Sequence, residues 1–152
     1  MPEFQIRQVP RQHAAVLHLT ARPEAVSETM GPAFGKLFES VGRSGGVPAG
    51  PVFARYFSFS DEVCDFECGV AVAAPYTGDG EVQASEIGGC EAAVGLHIGP
   101  YDRLHETYSA MQAWIEAQGR TPSDVMWEVY LTDPDQVPDP AEWRTEVYWP
   151  VA

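Results

Sequence analysis

Leu37-Phe38-Glu39-Ser40-Val41-Gly42-Arg43 is answered later in the same chain by Trp114-Ile115-Glu116-Ala117-Gln118-Gly119-Arg120. The echo extends on both sides. Ala14-Ala15-Val16-Leu17-His18-Leu19 returns, with one inserted glycine, as Ala92-Ala93-Val94-Gly95-Leu96-His97-Ile98, and Phe53-Ala54-Arg55-Tyr56-Phe57 returns as Trp127-Glu128-Val129-Tyr130-Leu131. Glu67, Val70 and Val72 find counterparts in Glu146, Trp149 and Val151. Two copies, each too long for a solenoid unit, predict one domain over 1–152 built from pseudo-repeats 1–76 and 80–152. The seam of such a duplication is where a cleft is expected, and clefts hold ligands.

Hydrophobic periodicity gives both repeats the same element order. Phe4 to Val9 and His13 to Leu19 alternate as strands around a turn at Pro10-Arg11. Val26, Met30, Phe34, Leu37, Phe38 and Val41 fall at helical spacing between about Pro23 and Gly42. Gly31-Pro32 interrupts that pattern, so a kink, or a helix beginning near Pro32, is expected. Arg43 to Pro51 reads as a loop. Strands follow at Val52 to Phe59 and Asp65 to Ala74, joined through Ser60-Asp61-Glu62. After a connector at Pro75 to Gly80, strands at Glu81 to Ile87 and Cys90 to Ile98 flank a Gly88-Gly89 hairpin turn. Pro100 opens a second helix with Leu104, Tyr108, Met111 and Ile115 as its buried stripe and Gly119 as its stop. Met126 to Leu131 and Thr145 to Val151 are the last strands, around a Pro- and Asp-rich loop at Thr132 to Trp143. The fold class is therefore α+β: duplicated strand-strand-helix-strand-strand (SHS2-like) repeats, a mostly antiparallel sheet and both helices on one face.

Composition narrows the function. With 45% hydrophobic and 20% charged residues over 152 positions, the chain suits one globular domain. Its 22 acidic against 9 basic residues give a formal charge of -13. No basic patch is present for phosphate, so direct nucleic-acid binding is not expected. The same field draws cations, weakly at physiological salt, although an acid excess also serves plain solubility. The N-terminus shows no signal peptide and no stretch reads as a membrane span, which points to a cytoplasmic protein. Three cysteines, Cys64, Cys68 and Cys90, fit no disulfide framework, and the Cys64/Cys68 spacing is not that of a structural zinc site. No cofactor motif, phosphate-cradling loop or nucleophile elbow appears. His18 and His97 take equivalent positions in the repeats and read as structural.

Strand alternation selects the candidate site. Glu128 and Tyr130 share one face of their strand, opposite Trp127 and Val129. Glu146 and Tyr148 share a face opposite Val147 and Trp149. In the first repeat Phe53 and Arg55 oppose Ala54 and Tyr56, and Phe66 opposes Glu67. A carboxylate among aromatic rings suits a flat lipophilic cation, each ring contact contributing about 0.5–2 kcal/mol. Taken singly, Glu128 and Glu146 read equally well as solvated positions. The duplication is what brings two glutamate–aromatic pairs to one expected seam.

These residues carry a resemblance. His97-Ile98-Gly99-Pro100-Tyr101, Trp127-Glu128-Val129-Tyr130-Leu131-Thr132-Asp133-Pro134, Glu142-Trp143-Arg144-Thr145-Glu146-Val147-Tyr148-Trp149-Pro150 and Asp65-Phe66-Glu67-Cys68-Gly69-Val70 resemble the GyrI-like small-molecule-binding family. That family is the effector-binding domain of AraC-type and MerR-type bacterial transcription regulators. The resemblance implies a groove between repeats that takes bulky, hydrophobic, often cationic compounds through an acidic residue and an aromatic cage. Glu128 is the acid it implies first and Glu146 second. Tyr101, Trp127, Tyr130, Tyr148 and Phe53 are the implied cage members, with Phe66 and Glu67 in the first-repeat segment. No helix-turn-helix precedes the domain, so a stand-alone binder is expected rather than a regulator acting alone.

Three functions follow as expectations. The first is multidrug-type binding of lipophilic cationic or aromatic small molecules, without cofactor or metal. The second is hydrolysis of strained electrophilic natural products, with Glu128 orienting or deprotonating water and Tyr130 or Tyr148 donating to the developing charge. The third is a gyrase-inhibitor-like protein contact through the acidic surface.

Overall fold

The computed structural model describes residues 4–43, 45–60, 62–76, 80–132 and 136–152. Asp61 of the expected turn, Gly78 and Asp79 of the connector, and Asp133-Pro134 of the resembling segment lie outside the described residues. In chain order the elements are β1 (Phe4–Val9), β2 (Gln12–Ala21), α1 (Val26–Arg43), β3 (Pro48–Phe59), β4 (Cys64–Val72), β5 (Val82–Ile87), β6 (Cys90–Ile98), α2 (Leu104–Ala117), β7 (Met126–Tyr130) and β8 (Arg144–Pro150). The class is α+β, with antiparallel pairing of β1 with β6, β6 with β8, β7 with β8, β3 with β4, β2 with β4 and β2 with β5.

The chain divides into two compact units, Pro10–Gly89 and the segment up to Val9 together with Cys90–Ala152. In the first, strands run in the order β3-β4-β2-β5. Strand β4 is buried at nearly every position, as a central strand should be, whereas β5 is buried only at Val82 and Ile87. Helix α1 lays Ala33, Leu37 and Val41 on Leu17, Phe66, Cys68 and Val70. Ser40 joins that stripe through a 2.7 Å hydrogen bond with the Tyr76 hydroxyl.

Contrary to a start near Pro32, α1 is helical from Val26, after a 3-10 turn opened by Pro23. Pro32 removes one donor, but Glu28, Gly31 and Pro32 are exposed, so solvent reaches the carbonyl that Pro32 leaves without its helical partner. Strand β3 begins at Pro48, earlier than expected, with a register irregularity between Pro48 and Val52.

In the other unit the order is β1-β6-β8-β7. Helix α2 buries Leu104, Thr107, Met111 and Ile115, and packs on Ala93 and Val147. It stops where expected. Gly119 has φ 76°, and Arg120 N–H returns to the Ile115 carbonyl at 3.1 Å.

Neither expected hairpin forms. Strand β1 pairs with β6, not β2, and β5 pairs with β2, not β6. The first strand of each repeat thus belongs to the sheet of the other. A two-residue hairpin needs positive φ, which Pro10 forbids and which, among the described residues, no non-glycine adopts. At Gly88 and Gly89 φ is positive (86° and 71°), yet the strands they join find other partners.

Register also corrects the repeat alignment. His18 lies opposite Glu67, whereas Leu96 lies opposite Glu146 and His97 opposite Thr145. The two segments align without a gap, Leu17 with Gly95 and His18 with Leu96, so His18 and His97 are not equivalent. Gly95 is no insertion. It leaves room for Phe4 of β1, whose Cδ1 would stand 2.5 Å from a β-carbon there.

Candidate functional site

Residues paired across antiparallel strands share a face, and this sorts every candidate. In the sheet that includes β7 and β8, Trp127 pairs with Tyr148, and Val129 with Glu146. Glu128 pairs with Val147, and Tyr130 with Thr145. Val147 is core beneath α2, so Glu128 and Tyr130 lie on the helix side. Glu146, Tyr148 and Trp127 lie on the opposite, open side. The two glutamates therefore do not converge; one sheet separates them.

On the open side, the rings of Trp127 and Tyr148 stack with centroids 5.1 Å apart and planes 4° apart. Such offset stacking on paired strand positions joins the two rings into one apolar unit, with Trp127 5% exposed and Tyr148 half-buried. The Tyr148 hydroxyl donates to Glu146 Oε1, and Arg7 Nη2 lies 3.9 Å from Glu146 Oε2. Burial, then the hydrogen bond and charge of Glu146, push the Tyr148 phenol up to about 12. It therefore remains a donor throughout the physiological range. Leu96 and Val129 are half-buried on the same face, and Ile98 is exposed. A carboxylate at the edge of an aromatic platform, with apolar surface around it, is the arrangement that receives a lipophilic cation.

On the helix side, Glu128 is buried and accepts a 2.7 Å hydrogen bond from the Tyr130 hydroxyl. Tyr101 packs against both Tyr130 (5.6 Å between centroids) and Trp143 (4.7 Å). The turn carrying Tyr101 is pinned from two directions. Gly99 N–H donates to the Trp143 carbonyl at 2.8 Å. The buried His97 ring contacts the Pro100 carbonyl through Nε2 at 3.0 Å and the Thr107 hydroxyl through Nδ1 at 2.7 Å. A carbonyl only accepts, so Nε2 carries the proton and Nδ1 accepts from Thr107 in the neutral ring. Sequence reasoning quoted Trp143 without assigning it a place in the cage. A tryptophan one residue before a strand was the available signal.

In the unit Pro10–Gly89 the counterparts are arranged differently. Arg55 pairs with Glu67, and Phe53 with Gly69, all on the side away from α1. Arg55 Nε donates to Glu67 Oε1 at 2.7 Å, Nη1 to the Glu86 carbonyl at 3.0 Å and Nη2 to Ser85 Oγ at 3.1 Å. Its guanidinium also lies 5.6 Å from the Phe57 ring centroid. His18 meets Asp65 on the same face. Phe53 is buried over Gly69, and Phe66 is a fully buried core residue under α1, stacked on Tyr56. Arg55 and Arg7 escaped notice as partners because neither sits near its glutamate in sequence.

Cys64 and Cys68 are buried thiols outside any disulfide, and burial, with the Glu67 charge second, pushes Cys68 up to about 12. Among the described residues no group of three or more His, Cys, Asp or Glu could hold a metal ion, and no helix is long and apolar enough to cross a membrane.

The model of the GyrI-like small molecule binding domain matches residues 2–152. The chain belongs to the GyrI-like family. It is a small-molecule-binding domain. This GyrI-like domain superposes on the C-terminal domain of EcmrR with a TM-score of 0.86 at 20% identity, covering 100% of this chain and 98% of that one. In the EcmrR–DNA complex the TM-score is 0.87 at 22% identity, covering 99% of this chain and 57% of the EcmrR chain. The GyrI-like domain thus spans little more than half of that regulator's length. SAV2435 bound to tetraphenylphosphonium shares the fold with a TM-score of 0.62 at 10% identity, over 99% of this chain and 94% of that one. No curated protein matches the sequence.

Proposed function

We propose that this domain binds bulky lipophilic cations on the open side of β7 and β8, with Trp127 and Tyr148 as the stacking platform and Glu146 as the counter-charge. The observation that carries the reading is the parallel ring pair standing directly beside the Glu146 carboxylate. The formal charge of -13 adds long-range attraction for a cation. The tetraphenylphosphonium held by SAV2435 is a ligand of this chemistry on the same fold. A cation about 6 Å from Glu146, at an effective dielectric near 20, gains roughly 2–3 kcal/mol. Each ring adds about 0.5–2 kcal/mol.

Titration with tetraphenylphosphonium, read by tryptophan fluorescence and calorimetry, tests this. Glu146→Gln is expected to weaken binding at least about tenfold, and Glu128→Gln far less. Wild-type protein that stays silent to high micromolar cation removes the proposal. Equal losses in the two variants would move the counter-charge to the helix side.

A second reading, hydrolysis of strained electrophiles, is favoured by the buried Glu128–Tyr130 pair. A carboxylate and a phenol in hydrogen-bond contact supply a base and a donor. Mass spectrometry of a cyclopropane-bearing alkylator incubated with the protein checks it. Intact compound at long times leaves binding as the activity.

A further inference from the structure

Glu67 and Glu146 hold the same register position in their respective sheets, and the residues facing them differ in one decisive way. Opposite Glu67 on β3 stands Arg55; opposite Glu146 on β7 stands Val129. The Arg55 and Glu67 side chains are 15% and 7% exposed, whereas that of Glu146 is 27% exposed. The aromatic positions diverge in step. Phe53 lies collapsed over Gly69, while their counterparts Trp127 and Tyr148 stack face to face with their planes 4° apart.

We infer that Arg55 is an internal guest: its guanidinium occupies, in the first repeat, the place that a cationic ligand takes in the second. The arrangement around it has the parts expected of a cation site. There is a carboxylate oxygen, Glu67 Oε1, in reach of both Nε and Nη2, an aromatic ring 5.6 Å from the guanidinium carbon, and acceptors at Ser85 and the Glu86 carbonyl for further donors. A buried carboxylate without a partner is strongly unfavourable, so Glu67 is retained only because Arg55 answers it. Glu146 faces valine and is answered by the Tyr148 hydroxyl and by Arg7, whose Nη2 lies 3.9 Å away on a side chain 44% exposed, a weaker hold than the buried Arg55–Glu67 pair. Arg55 thereby limits the duplicated domain to one guest. This rests on the open-side reading above and adds a specificity-determining residue to it.

Two substitutions test the inference in opposite directions. Val129→Arg places a guanidinium opposite Glu146, and tetraphenylphosphonium affinity is expected to fall at least about tenfold, the loss of a charge-assisted contact. Arg55→Ala empties the place opposite Glu67. Millimolar ethylguanidinium is then expected to raise its melting temperature by several degrees beyond the rise in Arg55→Ala/Glu67→Gln. Should Arg55→Ala fail to fold unaided, the same titration is read as recovery of the circular dichroism signal. Equal response of the single and double variants, or no recovery, overturns the inference. So does unchanged tetraphenylphosphonium binding by Val129→Arg. Wild-type protein that never binds the cation defeats the functional reading, while the ethylguanidinium result still decides whether the place opposite Glu67 is a cation site.

Discussion

Phe53 rests against the bare backbone of Gly69, so close that a β-carbon there would come within 2.8 Å of the ring's Cε2. The phenylalanine is 2% exposed, and its ring has little room to give way. Gly69→Ala is expected to lower stability by about 1–3 kcal/mol, the usual cost of overpacking a core. Urea denaturation measures this, and Phe53→Leu combined with Gly69→Ala should recover part of the loss. Gly95 meets Phe4 at similar distance, but Phe4 is half-buried on an edge strand, so Gly95→Ala is expected to cost less.

Tyr148 should ionise well above the ordinary tyrosine range. Its phenol is pushed up to about 12 by burial first and by Glu146 second, so the fold favours the neutral form. The stabilising contribution is complete below the ordinary tyrosine value near 10 and disappears as pH rises through the folded value. Absorbance in the phenolate band against pH reads this directly. Glu146→Gln should move the late transition down without restoring an ordinary value, because burial remains.

Thiol reactivity should separate the cysteines. Cys90 is half-buried and raised by burial, while Cys68 is fully buried and raised to about 12. At about pH 8 a disulfide reagent is expected to label Cys90 slowly and Cys68 only after denaturant opens the fold. Rapid labelling of Cys68 in native protein would contradict the described burial.

Thr107→Val removes the donor to His97 Nδ1 and leaves a buried ring nitrogen without that partner. A loss of about 1–3 kcal/mol is expected. Because His97 also holds the Pro100 carbonyl next to Tyr101, the emission of Trp143 should change with it. Thr107→Ser, which keeps the hydroxyl, should restore most of both.

The elements themselves were legible, since period-two and helical spacings mark Phe4–Val9, Cys90–Ile98 and the α2 stripe whatever their partners. Pairing was not. Nothing local in Phe4-Gln5-Ile6 names β6 as its neighbour, and Gly88-Gly89 takes positive φ without making a hairpin. Alternation placed Glu128 with Tyr130 and Glu146 with Tyr148. Which side of β7 matches which side of β8 depends on one register step, Glu128 opposite Val147, that no single strand contains. Matching His18 to His97 demanded an inserted glycine because histidine is a conspicuous letter; the backbone aligns the segments ungapped. Arg55 was visible as a neighbour of Phe53 on alternation, but its ion pair with Glu67 required the β3–β4 ladder.

Because β1 completes the sheet of β6 and β5 completes that of β2, a gene split near residue 80 would yield two fragments that each lend away what the other lacks. A half-length progenitor could close its sheet only by trading opening strands with a twin, making it an obligate pair whose integrity depended on concentration. A single chain removes that dependence, because both opening strands are always at hand.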